Sequence, residues 1–176
     1  MDHDTFWQLV DSTRGHAERV EQLAKLLEPY TTENIVRFRL LFDDFMDKAN
    51  RVDLWGAANT LLGGCTEEGF FEFRESLIEM GREPYETSVN DPDSLADRFQ
   101  PGEVVPATEG IINATILAWT TVTGQTEDAF YEAVDATDTR TDRGDAEEGE
   151  WWNFEDKEEV RHRLPKLAAK FLKSKE

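Results

Sequence analysis

Arg74 is the residue whose type and placement most invite chemistry. It stands within FFEFRESLI, on an apolar stripe formed by Phe70, Phe71, Leu77 and Ile78. Helical spacing turns that stripe inward. An unpaired charge there is costly, so the guanidinium needs a carboxylate partner or a route to solvent. Asp53, Asp11 and Asp91 are the acids considered. Asp53 is favoured because it opens the neighbouring helix beside Trp55. Paired, Arg74 fixes helix packing; reached by a pocket, it offers two parallel donors to a carboxylate or phosphate.

Other reactive side chains are few. Cys65 precedes a helix start, where the dipole lowers a thiol pKa. Glu67 and Glu68 oppose that effect, and the reading is an inert packed thiol. His3, His16 and His162 share no ligand spacing, so no metal or other cofactor is expected. Asp43-Asp44-Asp47 and Asp91-Asp93-Asp97 offer weak Mg²⁺ or Ca²⁺ clusters without the calcium-loop pattern. Asp91 and Asp93 are better read as helix caps. A glycine-rich phosphate loop, a GxSxG elbow and an HExxH helix are all missing.

Composition narrows the classes. At 176 residues, with 39% hydrophobic and 11% aromatic content, the chain suits one globular domain with a real core. A net charge of −19 argues against a nucleic-acid backbone and an anionic membrane surface. It fits a solvated surface or a basic protein partner. No apolar run approaches a membrane span, and the acidic start MDHDTFWQLV does not read as an export signal. A cytoplasmic setting is expected. One cysteine excludes an internal disulfide.

The elements that would position these groups are helices. Thr5 and Gln8 fit a capping box, with Phe6, Leu9 and Val10 on one face and Trp7, Asp11 and Arg14 on the next. Val20, Leu23, Leu26 and Leu27 mark a second helix from about 17 to 27, stopped by Pro29. The third, capped by Thr31 and running to about Ala49, carries the broadest stripe and is expected to be central. The fourth begins near Val52 and ends at Gly63-Gly64. The fifth is capped by Thr66 and ends at Gly81.

A short helix follows Asp91-Pro92, and 99–108 reads as loop with a brief extended piece at Val104-Val105. Further helices cover Glu109 to Thr123, with Val122 inward, and the stretch after Thr126, with Phe130, Tyr131 and Val134 inward. The polar tract 137–150 reads as a mobile acidic loop. Trp151-Trp152 re-anchor the chain on the core or stack on a ligand. A helical tail at about 156–173 is broken at Pro165. The expectation is an all-α, irregular single-domain bundle of eight or nine helices spanning 1–176.

Four segments carry a resemblance: FWQLVD, DLWGAANTLLGGCTEEGFFEFRESLIEMGRE, DPDSLAD and the tail GEWWNFEDKEEVRHRLPKLAAKF. With these, the chain resembles the bacterial domain-of-unknown-function family 4240. The family has Ser-Asp-Asp after the cysteine where this chain has Thr66-Glu67-Glu68. The exchange preserves capping chemistry. The resemblance implies a helical fold and an interaction or regulatory role, without a mechanism. It singles out Trp7, Asp11, Asp53, Trp55, Cys65, Arg74, Asp91 and Asp93, all but the last taken as the candidate polar constellation. Periodic context alone marks Arg74 and Asp53.

Three functions are open at this stage. The first is a non-enzymatic interaction module for a basic partner. The second is a binding protein or enzyme for an anionic small molecule around Arg74 and Asp53. The third is an acidic inhibitor or immunity-type decoy.

Overall fold

A computed structural model describes residues 1–102, 110–140 and 147–172. Its described residues form eleven α-helices and no strand. The first helices are set by local capping. In α1 (His3–Ser12), Asp2 rather than Thr5 is the cap, accepting from Thr5 N at 2.8 Å. After α2 (Arg19–Leu27), the Thr31 hydroxyl accepts from Asn34 N and starts α3 (Thr32–Lys48). After α4 (Val52–Leu62), Gly63 takes the left-handed conformation at φ 72°. The Thr66 hydroxyl accepts from Gly69 N at 3.1 Å and opens α5 (Glu67–Glu79).

The count exceeds eight or nine for identifiable reasons. Helix α6 (Arg82–Asn90) forms despite Pro84, which lies in its first turn, where a missing N–H breaks no intrahelical bond. A 3₁₀ turn at Pro92–Ser94 leads into the one-turn α7 (Leu95–Arg98). Then come α8 (Asn113–Thr123) and α9 (Glu127–Thr137). The tail splits at Leu164 into α10 (Lys157–Arg163) and α11 (Pro165–Phe171). The Val104-Val105 piece and 141–146 of the acidic tract lie outside the described residues.

Helix α3 is central, packing against α1, α5, α8 and α9. Two of its faces are buried, through Ile35, Phe38, Leu41 and Phe45 and through Val36 and Leu40. Around Phe45 gather Phe6, Trp7 and Tyr85, with ring centroids 4.6 to 5.4 Å apart. Several expected inward residues are not inward. Phe71 is 49% exposed, and Phe73 takes its place on the stripe with Phe70 and Leu77, three and seven residues apart. Leu26, Val122 and Tyr131 are also exposed. A stripe of this spacing covers only part of a helix, so apolar residues beside it face water.

After the acidic tract the chain is strapped across the start of α4. Val52 N donates to Glu148 O and Glu148 N donates to Asn50 O, each at 2.9 Å. Trp152 then packs on Gly56, whose missing Cβ makes room for the indole. Trp151 is 54% exposed but meets Trp55 edge-on at 5.2 Å. Among the described residues no helix is long and apolar enough to cross a membrane.

Candidate functional site

The constellation read from sequence divides among three places. Trp7 and Asp11 border a shallow depression beside α1. Trp7 is otherwise a core ring. Asp11 faces Arg14 at 3.5 Å and accepts from Arg82 N at 3.4 Å, so it acts at the start of α6. Asp53 and Asp91 border a second hollow with Trp152. Arg74 and Trp55 line a third and more enclosed cavity, of about 430 Å³, between α3, α4 and α5.

The expected Arg74–Asp53 ion pair does not form. Asp53 is taken by Arg51, two residues away, through contacts of 2.7 and 3.0 Å. Arg74 instead donates from Nη1 to Met46 O at 3.0 Å, in the last turn of α3. A helix C-terminus favours a cation there. Its guanidinium also lies 5.0 Å from the Phe70 ring centre and 5.5 Å from that of Phe71. Nε is buried without a partner. Nη2 makes no hydrogen bond among the described residues, and it is not sealed. Burial pushes the Arg74 pKa below its ordinary value, while Asp47, Glu147 and Glu75 pull it back. The group stays a cation.

The cavity has an aromatic wall and a charged wall. Trp55 stacks on Phe70 with centroids 4.9 Å apart and planes 9° from parallel. Its Nε1 donates to Cys65 O at 3.1 Å, and Asn59 Oδ1 accepts from Cys65 N at 3.0 Å. Cys65 thus enters the site through its backbone, fixing the Trp55 ring. Burial pushes its thiol pKa up, away from nucleophilic chemistry. Phe42, Met46, Phe71 and Ile112 complete the apolar lining.

The charged wall was missed by sequence reading. Arg140 reaches Asp138 at 2.8 Å, Asp47 at 3.0 Å and Asp44 at 3.3 Å. Arg39 Nε meets both oxygens of Asp43, at 3.0 and 3.1 Å. The aspartates read as a weak divalent-cation cluster therefore surround guanidinium groups instead. Burial pushes Asp43 and Asp47 above the usual carboxylate range, against the pull of Arg39 and Arg140 respectively. Arg140 is pushed up, chiefly by its hydrogen bonds with Asp138. Glu147, half-buried on the same wall, makes no hydrogen bond or ion pair among the described residues. Neither Arg140 nor Glu147 could be singled out in a tract without periodicity.

Asp93 has a different task. Buried, it accepts from Lys166 N at 3.0 Å and Leu167 N at 2.9 Å, capping α11 from another element. Asp91, the expected cap, makes no side-chain cap bond and is exposed.

Fold and site together define an all-α domain with a half-open cavity, aromatic on one side and charged on the other. The chain belongs to the family described as a protein of unknown function (DUF4240), whose model matches residues 1–115. No curated protein and no solved structure matches the chain. The matched stretch holds Arg39, Asp43, Asp47, Trp55 and Arg74, and ends within α8. Arg140, Glu147 and the tail segment of the resemblance lie beyond it.

Proposed function

We propose that this domain recognises a small molecule in the cavity between α3, α4 and α5, with Arg74 receiving a carboxylate or phosphate group of the ligand. The observation that carries this reading is a half-buried guanidinium on a cavity wall with no carboxylate in ion-pair contact among the described residues. A closed structural arginine would be fully paired, because an unmet buried donor costs about 1–3 kcal/mol. The volume of about 430 Å³ and the mixed lining fit a small-molecule site. The lining groups, guanidinium, carboxylate and aromatic, are those of a recognition site.

The test is calorimetric titration with 3-phenylpropanoate and phenyl phosphate, for the wild type and for Arg74→Met. Saturable binding of at least one probe is expected, weakened at least tenfold in Arg74→Met while circular dichroism shows the variant folded. Equal affinity in the folded variant, or absence of binding by both probes and by the amino-acid analogue of the first, overturns the reading.

A second reading is an interaction module for a basic protein, favoured by the net charge of −19. Its signature is association that weakens steeply with added salt. Binding unaffected by salt in pull-downs with basic proteins counts against it.

A further inference from the structure

Among the described residues three charges on the cavity wall lack ion-pair partners: Arg74, Glu147 and Glu67. Glu67 is exposed in the first turn of α5, which leaves Arg74 and Glu147 as the half-buried pair of opposite sign. Arg74 holds no carboxylate, and Glu147 holds no cation. The other guanidinium groups of the wall, Arg39 and Arg140, are committed to aspartates. Arg74 feels the field of Glu147, yet no ion pair joins them. Between them lies space bounded by Trp55, Phe70 and Phe71.

We infer that the ligand is a zwitterion with an apolar body, of the class of aromatic or large aliphatic α-amino acids, its carboxylate on Arg74 and its ammonium on Glu147. This rests on the small-molecule reading above and narrows it.

Charge balance selects the zwitterion over a simple anion. Carboxylates outnumber guanidinium groups on the lining, and the whole chain carries −19. A plain anion would gain Arg74 and be repelled by Glu147 at the same time. A plain amine would gain Glu147 and be repelled by Arg74. A molecule bearing both charges satisfies both groups. Partial burial strengthens each contact relative to water. The stacked Trp55–Phe70 wall offers a face for an apolar or aromatic side chain.

A matched set of probes separates these contributions: L-phenylalanine, 3-phenylpropanoate and 2-phenylethylamine. They share a ring and carry both charges, the anion alone and the cation alone. In calorimetry with the wild-type chain, L-phenylalanine is expected to bind at least tenfold tighter than either single-charge probe. Glu147→Gln, a change at a half-buried side chain with no bond to lose, should erase the advantage over 3-phenylpropanoate. It should leave 3-phenylpropanoate binding unchanged or tighter. L-Phenylalanine binding no tighter than 3-phenylpropanoate overturns the zwitterion while leaving Arg74 recognition intact. So does an equal loss for both probes in Glu147→Gln. Failure of all three probes overturns the inference, and failure of phenyl phosphate as well overturns the reading beneath it.

Discussion

Trp152 occupies the space that a side chain on Gly56 would need. A Cβ built on Gly56 would fall inside the van der Waals envelope of the indole atoms Cζ2 and Cη2. Gly56 is buried in mid-helix, where glycine is otherwise unfavourable by roughly 0.5–1 kcal/mol relative to alanine. Close approach of the indole is the reason it stands there. Gly56→Ala should therefore destabilise the fold by about 1–3 kcal/mol, despite the gain in helix propensity. In urea denaturation the Gly56→Ala/Trp152→Ala double variant should lose less than the sum of the single losses. Strict additivity would show that the indole does not occupy this position.

Arg19 makes a second test of packing. It is 4% exposed and donates to Val10 O at 3.2 Å and to Glu79 O at 2.7 Å. Those carbonyls belong to the last turns of α1 and α5, so one guanidinium joins two helix C-termini. Arg19→Met removes a buried donor from each carbonyl, and because Val10 O keeps the Thr13 hydroxyl at 3.0 Å the cost should be about 1–3 kcal/mol in all. Arg14, exposed, also bonds a carbonyl, Met80 O at 2.7 Å, but water can replace it. Arg14→Met should stay within about 0.5 kcal/mol of wild type. Thermal unfolding of the two variants side by side checks the contrast.

Asp93 and Asp91 are both aspartates beside Pro92, and the structure gives them unequal weight. Asp93 caps the α11 N-terminus through two backbone donors; Asp91 makes no side-chain cap bond. Asp93→Ala should cost about 1–2 kcal/mol, and Asp93→Asn should recover part of it, because asparagine still accepts. Asp91→Ala should cost far less. Equal effects in chemical denaturation would contradict the assignment.

What could be read from sequence is what depends on nearby residues. Thr31 and Thr66 cap as expected, and Thr126 does the same, because an N-cap hydroxyl bonds a backbone donor three residues on. The stripe of α3 and its central place follow from spacing. Arg74 was legible as an inward cation, but its acceptor, Met46 O, is a carbonyl 28 residues away that carries no side-chain signal. Arg19 was missed because its acceptors, Val10 O and Glu79 O, are carbonyls of other helices that carry no side-chain signal. Arg140 and Glu147 sit at the two ends of a polar tract, where only tertiary structure brings them to the cavity. Helix α6 was missed because Pro84 reads as a breaker unless it is known to lie in the first turn.

Cys65 should react slowly with alkylating agents. Its burial raises the thiol above the ordinary value of 9.0, and no lysine, arginine or histidine is among the causes acting on it. The rate of iodoacetamide modification against pH should rise with a midpoint above 9.0, the ordinary thiol value. A midpoint below that value would restore the helix dipole as the dominant influence and reopen nucleophilic chemistry at this position.

Mild acid should stabilise this protein. Asp43 and Asp47 hold their protons more tightly in the fold than in the unfolded chain, because burial penalises their charged forms. Between their raised folded values and the ordinary 3.8, the native state therefore binds more protons than the unfolded one. By linkage, stability contributed by such groups is fully present below the ordinary value and is lost as pH rises through the folded one. Self-repulsion from the net charge of −19 has the same sign, since protonation relieves it. Asp2 and Glu83 act oppositely, held low by hydrogen bonds from Thr5 and Arg98, but only below their ordinary values of 3.8 and 4.5. The midpoint of thermal unfolding should thus climb as pH falls from neutral through the raised values of Asp43 and Asp47, and turn over in stronger acid. Asp43→Asn, which removes one of the titrating groups, should flatten the climb. A midpoint that is level or falling across that interval would mean that the pairing of Asp43 with Arg39, and of Asp47 with Arg140, outweighs their burial.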